Sequence, residues 1–483
     1  MEFFNPSDLT TALPLIFLMG WASVLLLVAV FVKDRPGLFP ALSALGLIVT
    51  GALAWPGLNQ QTSAFSGMYV ADGFSTFITL LLMLSGLLAI AISTDYLKRF
   101  DIGRPEYYII MLFSISGMML MASAADLIVI FLALELLSIP LYVLAAFAQP
   151  DANSEEAGLK YFLLGAFASG FLLYGIALIY GATGATGLSE IYVAAQAGIE
   201  APILMLIGAA LILVGLGFKV AAVPFHMWTP DVYQGSPTTV TAFMAAGAKI
   251  GGFAALIRIF IVALPSISEA ITPVLWAVAA ATLIIGNILA IAQNNVKRML
   301  AYSSISHAGF LIMAIVPYAN DAARFDVVAS ALFYLLAFVI ASFGSWGVVI
   351  ALEKKAGRGL SFKDYAGLGQ SNPALAFSML VFMLSFTGIP PTLGFTGKFF
   401  VFRTVLEGGY TSLAIVGVLA SLISAYYYLR LIVVMYMQKG SPKALNDSWL
   451  RWTTLGTALA TVLLFIFAEP LFDLASRALL ALG

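Results

Sequence analysis

Long apolar runs separated by short polar punctuation dominate the chain, and no soluble-type alternation competes with them. Crossing about 30 Å of hydrocarbon takes about 20 residues of helix. Runs of that size recur near 12–32, 37–56, 74–96, 105–123, 125–148, 157–182, 202–224, 237–258, 270–293, 299–317, 325–352, 373–405, 409–437 and 451–476. The pattern predicts an all-α polytopic membrane protein of about fourteen transmembrane helices. The longest gaps, near 57–73 and 183–201, are too short for a soluble domain. Two runs are interrupted, the seventh by Pro224 and the twelfth by Pro390, Pro391, Gly394 and Gly397. Proline removes a backbone donor and frees a carbonyl that water or a side chain must satisfy. Matched breaks five spans apart predict two inverted five-helix repeats, because an odd number of crossings reverses the second copy. The expected organisation is 1–104 (spans 1–3), 105–258 (spans 4–8), 259–437 (spans 9–13) and 438–483 (span 14).

Composition sharpens the setting. Of 483 residues, 61% are hydrophobic and only 10% charged, and the mean hydropathy is +1.01. The net charge of -1 offers no basic surface for nucleic acid. The absence of cysteine excludes disulfides, thiolate zinc sites, iron–sulfur ligation and a cysteine nucleophile in this chain. His226 and His307 are the only imidazoles, too few for an ordinary metal or haem centre. The first eleven residues hold Glu2 and Asp8 but no lysine or arginine, so the start reads as a retained helix entering from outside, not a cleaved signal. With that orientation, sixteen of the 23 basic residues fall at inward ends and four, Arg258, Arg324, Arg403 and Arg477, at outward ends. The bias predicts a plasma (inner) membrane protein with both termini outside.

The remaining three basic residues lie where a membrane tolerates them poorly. Lys219 precedes Pro224 by five residues, Lys249 follows Pro237 by twelve, and Lys398 follows the break at Pro390 and Pro391. Glu135 lies nine residues beyond Asp126, near mid-membrane. A charge at the bilayer centre costs at least a few kcal/mol, so four of them require partners or a task. A lone lysine could snorkel or pair structurally; four midplane groups of both signs point to an ion path. His226 either relays protons or caps carbonyls bared at the break. His307 either relays or joins helix–helix bonding with Ser303, Ser304 and Ser306. GFTGKF lacks the first glycine of a phosphate loop, and GATGATG at 181–187 follows no strand, so neither is a nucleotide site.

Three stretches carry a resemblance. GLGFKVAAVPFHMWTPDVYQGSPTTVTAFMAAGAKIGGFAALIR, NVKRMLAYSSISHAGF and SFTGIPPTLGFTGKFFVF closely resemble the antiporter-like membrane subunits of proton-translocating NADH-quinone oxidoreductase, respiratory complex I. HMWTPDVYQGSP and LALELLSIPLYVL are similar to the subunit N branch. The resemblance implies that Glu135 is the fifth-span glutamate, Lys219 the seventh-span lysine, Lys249 the bridging eighth-span lysine and Lys398 the twelfth-span lysine of the distal half-channel. It implies that His226 and His307 lie on the hydrated axis. It also implies that NADH, FMN, iron–sulfur clusters and quinone belong to other membrane and peripheral subunits.

The chemistry suits these residue types. At an effective dielectric near 20 and about 8 Å, two unit charges interact by roughly 2 kcal/mol. Moving one charge against 100 mV costs about 2.3 kcal/mol, the same order. A carboxylate approaching or leaving a lysine thus sets whether the amine holds a proton, a toggle that arginine cannot perform. The expected wire loads Lys219 from inside with Glu135 as its pair, connects through Lys249 and releases outward at Lys398. Two alternatives remain at this level: a subunit of a multisubunit sodium/proton antiporter, and a non-pumping structural or quinone/lipid-binding subunit.

Overall fold

The computed structural model describes residues 6–32, 35, 37–199, 201–320, 323–445, 447–478 and 480. Glu2, Lys33 and the Arg324 side chain lie outside the described set. Short polar signals start the helices. Asp72 caps α3 (Gly73–Arg99) in a reciprocal box with Ser75. Asp126 caps α5 (Leu127–Ala145), Asp151 caps α6 (Ala152–Thr183) and Asn295 caps α10 (Val296–Ile315). Proline occupies the first turn of α4 (Pro105–Ser123), α7 (Pro202–Val220) and α12 (Pro373–Thr387), where its missing N–H costs nothing. The remaining long helices are α1 (Leu13–Phe31), α2 (Leu38–Ala54), α8 (Thr238–Ala263), α9 (Ser268–Ile291), α11 (Arg324–Leu352), α13 (Leu393–Glu407), α14 (Thr411–Met437) and α15 (Ser448–Ile466).

Among the described residues, twelve helices are long and apolar enough to cross a membrane. The twenty-residue α10 and the broken pair α12 and α13 come in addition, consistent with fourteen expected spans. The last expected run, 451–476, is not one helix: α15 ends at Ile466 and a separate helix, Ala468–Arg477, follows. Pro470, Glu469 and Asp473 make that second piece amphipathic, and its Phe472 stacks on Phe400 at 3.9 Å. The long gaps are also structured, by a hairpin pairing Thr62–Ala64 with Tyr69–Ala71 and by the helix Leu188–Ala197.

Burial ranks the helices. Every residue in the apolar stretch of α8 is buried, as are nearly all in that of α11, whereas most residues of α1 and α15 are not. α8 packs against α3, α4, α7 and α11, so the centre of the bundle is a helix carrying a lysine. Two turns of α8, Met244–Ala248 and Ile259–Ala263, are π-helical. Such turns insert a residue and concentrate at functional sites.

Both breaks have the same backbone form. At the end of α7, Ala221 takes the left-handed conformation and Ala222 N–H donates to the Gly217 carbonyl while Ala221 N–H donates to Phe218. At the end of α12, Gly388 is left-handed, Ile389 N–H donates to Leu384 and Gly388 N–H to Ser385. This double bond pattern closes a helix C-terminus, and Pro224 and Pro391 follow it at equal distance along the chain.

Candidate proton path

Lys219 occupies the last turn of α7, directly before the first break. Its Nζ donates to the Ser138 hydroxyl at 2.8 Å and the Tyr161 hydroxyl at 3.0 Å. Ser138 stands one turn beyond Glu135 on α5. Glu135, the expected pair of Lys219, makes no ion pair with it within 4.0 Å among the described residues, and the two act on each other through space. The hydroxyls, being uncharged, hold the lysine head at less desolvation cost than a contact pair would carry. Glu135 is half-buried, with Oε1 lacking a hydrogen-bond partner. Trp228 stacks on Tyr161 at 4.4 Å and donates its indole N–H to the Phe218 carbonyl, which also accepts from Ala221 at the break. His226 lies in the break itself, buried, its Nδ1 without a partner.

Lys249 follows the first π turn of α8 and donates to the Ser304 carbonyl on α10. The two lysine regions touch, because a Cβ on Gly252 would lie 2.7 Å from Val220 and 3.6 Å from the Lys219 stem. Ser304 lies one turn before His307 on α10, and the Phe338 ring faces both Lys249 (5.7 Å) and His307 (4.9 Å). His307 bonds Tyr334 through Nδ1 at 2.7 Å and Tyr428 through Nε2 at 3.2 Å. Tyr428 in turn meets Ser303, and Ser306 accepts from Asn287 at 2.8 Å. Helix–helix bonding by the serines and contact of His307 with a polar chain are thus both present.

Lys398 closes the series on α13. Its Nζ donates to the Thr387 carbonyl at 2.9 Å and to Ser421 at 3.1 Å. Thr387 is the last residue of α12, so the lysine satisfies a carbonyl freed by the break. Gly388 makes room: its φ is +86°, and a Cβ there would lie 2.8 Å from Lys398 Cδ. Lys398 and His307 line one cavity of about 10 Å³, the scale of a single water.

Two buried charge sites escaped the sequence reading. Arg258, expected at an outward interface, is 1% exposed and pairs with Asp72 at 3.0 Å while donating to the Ala122 carbonyl at 2.8 Å. Lys297 and Glu353, expected at span ends, are 2% and 6% exposed at the floor of a vestibule of about 830 Å³. Asp231 at that vestibule bridges Lys160 (3.2 Å) and Arg298 (2.7 Å). Partial burial pushes the Asp231 carboxyl up, but hydrogen bonds from Arg298 and Lys160 outweigh it and hold it below the usual carboxylate range. Charge near an apolar boundary was the only available signal for these groups, because burial at a helix end depends on neighbouring helices.

Comparison with known proteins places this geometry in a class. Residues 124–424 match the family described as NADH:quinone oxidoreductase/Mrp antiporter, transmembrane, which defines an antiporter-like membrane subunit. A chain in the structure of respiratory complex I from Thermus thermophilus with bound aureothin superposes with a TM-score of 0.82 at 35% identity, over 96% of this chain and 99% of that one. A chain of the Mrp complex from Dietzia sp. superposes at 0.85 with 20% identity, over 97% of each chain, which shows the fold alone. NADH-quinone oxidoreductase subunit N of Chloroflexus aggregans is 44% identical over 99% of this chain and 98% of its own. The chain belongs to the NADH-quinone oxidoreductase subunit N family.

Proposed function

We propose that this chain is the membrane subunit that carries protons while electrons pass from NADH to quinone in partner subunits. The observation supporting it most is the series of buried, hydrogen-bonded polar groups inside the bundle: Lys219 on Ser138 and Tyr161, Lys249 on Ser304, His307 on Tyr334 and Lys398 on Thr387. In this reading Glu135 biases Lys219 through space, Lys249 connects the halves and Lys398 releases outward. His307 relays through Tyr334 and Tyr428, and His226 relays at the first break. The two five-helix units, 105–258 and 259–437, act as inverted half-channels, an arrangement supported by the like-built breaks. The termini lie outside by charge bias. NADH, FMN, iron–sulfur clusters and quinone are bound by other membrane and peripheral subunits, and the lipid bilayer surrounds the outward-facing helices.

Lys219→Ala and Glu135→Ala in the assembled complex test the path. Proton pumping is expected to fall sharply for both, as measured by a pH-sensitive dye in vesicles energised with NADH. Unchanged pumping and quinone reduction in both variants would overturn it.

A further inference from the structure

We propose that the vestibule is the aqueous intake of the proton path, that Glu353 and Lys297 form its gate, and that it feeds Lys249 at the middle of the series. This rests on the proton-path reading above and locates its entrance.

The vestibule forms where the C-terminal ends of α3 and α11 meet the N-terminal ends of α6 and α10 and the short helix Trp228–Gly235. By charge bias that is the inward end of the bundle. Its rim is charged, with Asp151, Glu156 and Asp231 among the acids and Lys160 and Arg298 among the bases. Lys297 and Glu353 at its floor form no ion pair with each other among the described residues. Lys297 donates instead to the Ser236 carbonyl at 2.6 Å. Glu353 Oε2 has no hydrogen-bond partner, and neither do Arg99 Nε and Nη1, the Tyr365 hydroxyl, or the hydroxyls of Ser236 and Thr238. Arg99, Tyr96, Tyr365 and Lys297 all feel the Glu353 charge. Of the unsatisfied groups, Glu353 and Ser236 line the cavity; buried polar atoms are nearly always satisfied, so unsatisfied ones facing a polar cavity mark ordered water.

The route onward is short. Lys297 and Ser304 lie two turns apart on one face of α10, about 10 Å. Ser304 carries the carbonyl that takes Lys249, and the Tyr233 phenol, next to the vestibule residue Gln234, sits beside its hydroxyl. Hydroxyls both donate and accept, which is what proton hopping needs. In each cycle the Glu353 carboxylate takes a proton from vestibule water. The proton then moves through water and hydroxyls to the neutral amine of Lys249, and Glu353 returns to the carboxylate. Lys297, when protonated, repels metal cations at the vestibule floor, while a proton passes by exchange along hydrogen bonds.

The test uses the complete complex in sealed vesicles and compares Glu353→Gln, Glu353→Asp, Ser236→Ala and Lys249→Ala. Glu353→Gln is expected to slow coupled proton uptake several-fold and to raise the solvent deuterium isotope effect on turnover. Glu353→Asp should restore most of the rate, and Ser236→Ala, which alters no charge, should raise the isotope effect less. A purely structural Glu353 would change yield without moving the isotope effect. If Lys249→Ala stops pumping while Glu353→Gln and Ser236→Ala leave rate and isotope effect at parent values, the intake is elsewhere and the path stands. If Lys249→Ala also pumps normally, the path reading itself fails.

Discussion

Single residues set the path by what they lack as much as by what they carry. Glu135, Lys219, Lys249 and Lys398 were legible as charges inside apolar runs, but their partners were not. Ser138, Tyr161, Thr387 and Ser421 are ordinary residues that become ligands only through packing. Gly388 shows how narrow the fit is. Gly388→Ala would force a Cβ into a left-handed position, at roughly 1–2 kcal/mol, and push on the Lys398 stem. Pumping should drop while the complex still assembles. Ala221 adopts the same conformation at the other break with φ 63°. Ala221→Gly should therefore leave pumping intact and raise thermal stability by up to about 1 kcal/mol. Equal pumping losses in the two variants would contradict this account.

At the level of helices, the apolar runs located nearly every span, and prolines located both breaks. The sequence reading failed where an acidic, proline-bearing stretch was joined to α15, and where Arg258 was assigned to an interface. Burial of Arg258 depends on α3 and α4 coming to the end of α8, which no local pattern reveals. The Arg258–Asp72 pair ties three helices together: Asp72 also caps α3, and the guanidinium lies over the Phe74 ring at 5.2 Å. Arg258→Met would remove the guanidinium from a buried carboxylate and should cost about 3–5 kcal/mol. Adding Asp72→Asn, which keeps the cap, should recover most of that loss. Thermal unfolding of the purified complex measures both, and equal destabilisation by the single and double variants would show that the pair is not the cause.

For the whole molecule, the five-span spacing suggested two inverted repeats, and the resemblance made Lys249 the bridge between them. Burial is greatest in α8, which carries Lys249, and in α11. The vestibule could not be read beforehand, because its walls come from five segments spread between Tyr96 and Leu360. A cation-excluding vestibule floor also bears on the antiporter alternative. Replacing sodium with choline should leave the pH gradient formed by the vesicle-bound complex unchanged, whereas a sodium-coupled carrier would lose it.

The π turn ahead of Lys249 gives the centre of the bundle one more property. A π turn holds one residue more than a regular turn, so its conversion to α-helix would rotate everything beyond it by about 100°. Lys249 is the first residue beyond Met244–Ala248. In the π register its ammonium meets the Ser304 carbonyl, and the α-helical register would turn it away from that carbonyl.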